Sequence, residues 1–339
     1  MRVLPDLIEA FGLTDPLTYL AVFLGASLLM MWRLEAMLKH GLEGTALGTL
    51  IMPFCSGLGN LFFVFMMVQK GGAAKEVLTN SLVNNVTNLT LLLGVPALFW
   101  TLTVVPSGRP GAKATSNKKS SALGGAAPLI NRLSLVLTLI AALFFTGVTW
   151  LLGSDGSLSR SDGAVLICLF GFWQAFQVYD VMKHNLTRRT EFGFMFYFDV
   201  VLVLACAWFV YGSLDWLVDW LSQQKNGFVT AENLGWLSGW LMVLPNGLLA
   251  LYWGWKRRAE VVYSSQVGDG HICIPFCVGL LAFLQPVVVN AEFQSGLLLL
   301  LGAVGLHAVL LIAAGGLPRW AGALFIVAYG WFLWDGLIA

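Results

Sequence analysis

The chain is 339 residues long, 58% hydrophobic and only 11% charged, with a formal net charge of +1 and a mean hydropathy of +0.79. A soluble domain carries roughly 25% charged residues, so this composition identifies a polytopic membrane protein. With the basic residues scattered in short loops and no net excess of positive charge, nucleic acid is excluded as a partner. Apolar runs long enough to cross a bilayer at about 1.5 Å per residue fall at ten places: 16–34, 44–69, 76–104, 132–153, 162–182, 195–221, 232–256, 259–287, 293–313 and 318–338. Residues 1–15 hold Asp6 and Glu9 and lack a basic run followed by an apolar core, so no cleavable signal peptide is expected and the first run directs insertion.

The second run contains Gly48, Pro53, Gly57 and Gly59, and ends its cluster in Asn60; the seventh contains Gly235, Gly239, Pro245 and Gly247 around Asn246. Matched helix-breaking residues in two halves predict discontinuous helices around a site at mid-membrane depth. The third run carries Thr79 to Thr90, in which Asn80, Asn84 and Asn88 fall four apart and form one amide stripe on an α-helix. Carboxamides in hydrocarbon are costly without a partner, which can be another helix, water or a bound ion. The plain alternative is interhelical glue worth on the order of 1 kcal/mol per contact, but Ser81, Asn85 and Thr87 beside the stripe exceed what glue requires. Asn85-Val86-Thr87 and Asn88-Leu89-Thr90 have the form of glycosylation sequons, inaccessible inside a span. The connection 106–131, rich in Gly, Ala, Ser, Pro and Lys, reads as a flexible cytoplasmic loop. In the eighth run Asp269 is an intramembrane acid and so a functional candidate, or else part of a water-lined polar kink. His271, Cys273 and Cys277 follow it without a recognised metal-ligand spacing. All five cysteines lie inside spans, where a structural disulfide is not expected.

Charge orients the array. With the N-terminus outside, 14 of the 19 basic residues face inward, and Asp155, Asp162, Asp215, Asp219 and Glu232 gather at the outer side. The positive-inside rule therefore predicts both termini outside, in a plasma (inner) membrane, and an even span count agrees. The expected fold is all-α, with about ten transmembrane helices in two inverted five-helix repeats, residues 1–182 and 183–339. No nucleophile and base pair, phosphate-cradling glycine loop or zinc motif stands out. Neither catalysis nor a cofactor is expected; the expected partners are the lipid bilayer and inorganic cations.

These motifs resemble the sodium/calcium exchanger (cation/calcium antiporter) superfamily, whose two alpha repeats carry a G-T-S-L-P-E element on one helix and a G-N-x-x-G-S-N-x-x-N element on the next. Cys55 to Asn60 falls at the first element of the first repeat and Thr79 to Asn88 at the second; Leu241 to Asn246 and Ser264 to Cys273 take those places in the second repeat. The resemblance implies an alternating-access cation antiporter whose ion ligands are Asn60, Asn84, Asn88, Asn246 and Asp269, assisted by Ser56, Ser81 and Ser265, with Cys273 at the position matching Asn88. Of these, Asn60, Asn88, Asn246 and Asp269 are the expected direct ligands of sodium or calcium. The departure is chemical. The glutamate that ends each first element in the family is replaced by Asn60 and Asn246, and calcium prefers six to eight oxygens with negative charge among them. Weak calcium binding is therefore expected, with sodium better tolerated. Asp269, where the family usually has serine, restores one charge. Two other readings stay open: an exchanger-fold membrane subunit or assembly partner that does not transport, and a transporter of a different small polar substrate.

Overall fold

The computed structural model describes residues 15–37, 54, 57–72, 74–104, 126–185, 193–225 and 227–337. In chain order the elements are α1 (Pro16–Met37), α2 (Leu58–Gln69), α3 (Ala74–Val86), a π-helical segment π1 (Thr87–Leu91), α4 (Leu92–Trp100), β1 (Leu102–Thr103), α5 (Ala126–Leu152), β2 (Ser157–Leu158) and α6 (Arg160–Asn185). The second half holds α7 (Phe194–Gln223), α8 (Leu234–Trp255), α9 (Ala259–His271), a second π segment π2 (Ile272–Cys277), α10 (Val278–Leu284), β3 (Val287–Val288), α11 (Ala291–Ala314), β4 (Gly316–Leu317) and α12 (Arg319–Leu337). Among the described residues nine helices are long and apolar enough to span a membrane, and α2 is a shorter apolar helix. The nine coincide with the predicted runs to within a few residues; residues 44–53, which begin the second run, lie outside the described residues, as do Ser56 and the loop 106–125.

The halves repeat each other. In the first, a helix of 13 residues, a π segment of 5 and a helix of 9 follow one another (α3, π1, α4); in the second, 13, 6 and 7 do (α9, π2, α10). Partners are exchanged between the halves. β1 pairs antiparallel with β4, Leu102 facing Leu317, while β3 pairs antiparallel with β2, Val287 facing Leu158. Likewise α4 packs on α12 and α10 on α6. Both helix pairs meet at glycines: a Cβ on Gly322 would lie 2.6 Å from the Gly94 carbonyl oxygen, and one on Gly163 would lie 2.6 Å from that of Gly279. Small residues let membrane helices approach to backbone contact, where dispersion replaces the absent hydrophobic drive. Two strand pairs and two glycine contacts obeying one exchange rule are the mark of an inverted repeat.

The chain forms two compact units that draw on both halves: Met1–Asn84 with Leu152–Pro245 and His271–Asn290, and Asn85–Leu151 with Asn246–Gly270 and Ala291–Ala339. In the first unit α1 lies along α7, tied by the Tyr19 and Trp216 rings stacked 3.9 Å apart and by the Arg33–Asp199 ion pair. Met30, Leu34, Met37, Phe196 and Cys206 fill the space between them. Lys70, just past α2, bonds both Asp215 and Asp219 of α7 at 2.6 Å. Burial alone would lower the Lys70 pKa, but the hydrogen bonds and the attraction of the two carboxylates outweigh it and hold the ammonium above its usual value. In the second unit α12 packs on α4 and π1, and α11 packs on π1 and α12. Leu133, Leu137, Ile140, Phe144 and Leu151 recur on one exposed face of α5, opposite buried Leu135, Leu139, Phe145 and Thr149. Spaced three to seven apart, they form the stripe a helix offers to lipid.

One expectation is corrected. The seventh span is not interrupted at its glycines and proline, because α8 runs unbroken from Leu234 to Trp255 through Pro245. Among the described residues the third and eighth spans are the ones interrupted by π segments, at π1 and π2. The glycines of α8 serve packing. A Cβ on Gly235 would meet the Glu76 carbonyl oxygen and Thr79, one on Gly239 would meet Val83, and one on Gly254 would meet Pro96. Such a glycine face is what a membrane helix needs to lie against a neighbour.

Candidate functional site

The two π segments arise from different local chemistry. In π1 the Leu92 N–H bonds the Thr87 carbonyl, an i to i−5 step. The Thr90 hydroxyl also donates to the Val86 carbonyl at 2.5 Å, one turn back. Pro96, which brings no N–H to the ladder, follows inside α4. In π2 Pro275 interrupts the ladder directly, and Ile274 before it is extended at φ −129°, ψ 112°, as the residue preceding a proline prefers.

Around π1 the second unit gathers the most polar cluster of the chain. Asp269 near the end of α9 is 1% exposed. Its Oδ2 accepts hydrogen bonds from Asn88 Nδ2 in π1 and from Asn246 Nδ2 in α8, both at 2.9 Å. Its Oδ1 is buried and accepts no hydrogen bond from the described residues, and no described cationic side chain pairs with it. A carboxylate accepts only, so both amides present their N–H groups to it. One turn earlier Gln266 is 0% exposed; its Nε2 bonds Ser265 Oγ at 2.9 Å and reaches the Asn246 carbonyl at 3.5 Å, while its Oε1 has no hydrogen-bond partner among the described residues. Asn85 Nδ2 bonds the Gly270 carbonyl at 3.0 Å, joining the end of α3 to the end of α9.

The first unit holds a neutral amide set. Asn84 Nδ2 bonds Asn60 Oδ1 at 3.4 Å. Asn80 Nδ2 bonds Ser238 Oγ at 3.0 Å and lies 3.6 Å from Met242 Sδ. The Gly235 N–H donates to Glu76 Oε2 at 2.7 Å, giving an orphan donor at the start of α8 an acidic acceptor. The buried oxygens Asn80 Oδ1 and Ser81 Oγ have no partner among the described residues.

Of the residues singled out in the sequence, Asn88 and Asn246 both bond Asp269, and Asn60 meets Asn84. Ser265 donates to the Val262 carbonyl at 3.1 Å and joins the acidic cluster only through Gln266. Cys273 is buried in π2, Ser81 is buried in α3, and Ser56 lies outside the described residues. The single amide stripe is corrected to three separate engagements: Asn80 with Ser238, Asn84 with Asn60 and Asn88 with Asp269. The ladder changes period at Thr87, so spacing by four no longer keeps Asn88 on the stripe. Gln266, Glu76 and His307 were missed by the sequence reading. His307 carried a usable signal, since it is an ionisable residue in the middle of the otherwise apolar Leu297–Ile312 stretch.

The cluster can hold a cation or a proton. An ionised carboxylate taken out of water without a partner costs several kcal/mol even after relaxation. Asp269 is therefore either protonated or paired with a cation whenever the cluster is closed to water.

Residues 17–179 match the family described as sodium/calcium exchanger protein. Among solved structures the chain is similar to the sodium-calcium exchanger NCX_Mj soaked with 2.5 mM Na+ and 1 mM Sr2+, at 16% identity, TM-score 0.65, covering 93% of this chain and 94% of that one. It is also similar to an H+/Ca2+ exchanger, CAX, at 16% identity, TM-score 0.68, covering 98% of this chain and 86% of that one. At this identity the likeness is one of fold. No curated protein matches the sequence.

Proposed function

Because residues 17–179 match the sodium/calcium exchanger protein family and the chain shares the fold of two membrane cation exchangers, we propose that it is a cation antiporter in which Asp269 is the one charged ion ligand. The observation that carries this is the buried Asp269 carboxylate, with one oxygen held by Asn88 and Asn246 and the other unpartnered. One negative charge balances one sodium ion or one proton. A divalent cation prefers more anionic oxygens than this cluster offers, so calcium binds weakly. When a cation replaces the proton, the Asn88 and Asn246 amides turn their carbonyl oxygens inward and supply neutral ligands. Asn60, Asn84, Ser81, Ser265, Ser56 and Cys273 are assigned to the ion pathway as secondary donors. The pair α1 and α7 is the proposed moving body in alternating access. The repeats divide at residue 182, and both termini face outside at the plasma (inner) membrane.

The test is flux in proteoliposomes with sodium-22 and calcium-45. The account expects sodium exchange in the wild type, none in Asp269→Asn, and new calcium flux in Asn246→Glu, which sets a second carboxylate beside the first. A second reading, an exchanger-fold subunit without transport, draws on the loss of both first-element carboxylates. Folded wild-type protein that moves neither ion would uphold that reading and overturn the antiporter.

A further inference from the structure

Helix α11 has the highest mean hydropathy of the spans, 2.6, yet His307 sits near its centre with 0% exposure. Every polar atom of that ring is engaged within the second unit. Nε2 lies 2.7 Å from the Leu89 carbonyl oxygen of π1, and Nδ1 lies 3.2 Å from the Tyr263 hydroxyl of α9. The ring stacks on Phe325 of α12 at 4.1 Å and 4°, and meets Tyr263 edge-on. A carbonyl only accepts, so Nε2 carries the hydrogen and Nδ1 accepts from Tyr263. The tautomer is thereby fixed, and the imidazole is neutral, which is the form hydrocarbon tolerates.

The placement of these contacts closes a ring. Leu89 is bonded directly to Asn88, whose amide holds Asp269; Tyr263 is on α9, the helix that carries Asp269. His307 thus touches the π segment that presents the neutral ligand and the helix that presents the acid, while making no contact with Asp269 itself. We propose that His307 is a positioning residue: it anchors the Leu89 carbonyl and Tyr263, and so fixes the distance at which Asn88 meets Asp269. The inference rests on the assignment of Asp269 as the cation-holding group. In metal sites, partners that orient the ligands rather than touch the ion typically set affinity by roughly 10- to 100-fold. The same order applies here, because Asn88 loses its fixed orientation when π1 is released.

The experiment compares wild type, His307→Leu, His307→Gln, Tyr263→Phe and Asp269→Asn in proteoliposomes, following sodium-22 uptake against sodium concentration. The same proteins are examined in bilayers by nitrogen-15 NMR of labelled histidine and by hydrogen exchange over residues 87–93. His307→Leu is expected to raise the half-saturating sodium concentration about tenfold or more with the maximal rate near wild type. His307→Gln, which keeps an N–H for the Leu89 carbonyl, is expected to recover most of the loss. The NMR signature is a neutral ring protonated at Nε2, with an Nδ1 signal that moves in Tyr263→Phe. Wild-type half-saturation in His307→Leu, with transport abolished in Asp269→Asn, overturns the positioning role and leaves the site assignment standing. Wild-type transport in Asp269→Asn overturns the site assignment instead. In that case faster exchange over residues 87–93 in His307→Leu still upholds the anchoring of π1, and unchanged exchange overturns it.

Discussion

The two broken helices have the same architecture and opposite chemistry. In the second unit π1 reads Thr-Asn-Leu-Thr-Leu; the hydroxyls of Thr87 and Thr90 and the Nδ2 of Asn88 are hydrogen-bonded, the last to the Asp269 carboxylate. In the first unit π2 reads Ile-Cys-Ile-Pro-Phe-Cys and packs among apolar groups, with Phe276 against Phe54 and Phe170 at 5.7 and 4.7 Å. Glycine contacts, strand pairs and helix lengths repeat because they depend on backbone approach, which small residues alone satisfy. Charge does not repeat, because each buried carboxylate costs several kcal/mol until an ion or proton arrives. The second unit therefore carries the one acid of its cluster, Asp269, while the buried acids of the first unit are already bonded, Glu76 to the Gly235 N–H and Asp199 to Arg33.

The largest expected effect tests the shared architecture. Gly322→Ala and Gly163→Ala each put a Cβ 2.6 Å from a carbonyl oxygen, and at Gly163 it comes closer still to the Phe283 backbone nitrogen; each should cost about 1–3 kcal/mol or more, read as a loss of thermal stability in detergent that is at least as large at Gly163. Gly302→Ala, with no atom near the added Cβ, should be neutral or gain roughly 0.5–1 kcal/mol. A neutral effect at either Gly163 or Gly322 would break the equivalence of the two contacts. The next effect tests the asymmetry by moving the acid: Asn84→Asp combined with Asp269→Asn sets a carboxylate beside Asn60 and away from the Asn88 and Asn246 donors. Each charge-assisted hydrogen bond lost from those donors is worth about 1.5–3 kcal/mol, so sodium should bind roughly 10- to 100-fold more weakly than in the wild type. Wild-type affinity in this double variant would mean that the amides of the second unit contribute nothing. The smallest effect lies in the first unit, at Lys70. Its folded pKa is raised above the usual 10.5, so the stability it adds is complete below that value and is lost as pH rises through the folded one. Its side chain is 36% exposed, which limits the contribution to about 0.2–1 kcal/mol. The Tm deficit of Lys70→Met should hold steady from pH 7 to 9 and vanish in strong alkali.

Sequence reading located the spans because hydrocarbon thickness dictates their length, and it named Asn60, Asn84, Asn246 and Asp269 as candidate ligands; of these Asn60 touches Asn84 and Asn246 touches Asp269. It expected a break in the seventh span, where the helix is continuous, because glycine has two uses in a membrane helix. It can break the ladder, or it can admit a neighbour, and only the position of that neighbour decides which; at Gly235 and Gly239 the neighbour is α3. The π register at Thr87 was equally hidden, since it depends on which carbonyls find other donors. His307 and Gln266 are single polar residues without a motif, and their meaning comes from chain segments tens to hundreds of residues away, such as Leu89 for His307. The family match itself ends at residue 179, before the half that carries Asp269.

The most direct test of the central claim is an infrared difference spectrum of the protein in bilayers, recorded on exchanging sodium-containing for sodium-free buffer. If one carboxyl group alternates between proton and cation, the sodium-free state gains a protonated carboxyl stretch that sodium removes, and Asp269→Asn lacks it. A spectrum with no such band in the wild type, or with the band intact in Asp269→Asn, would contradict the account.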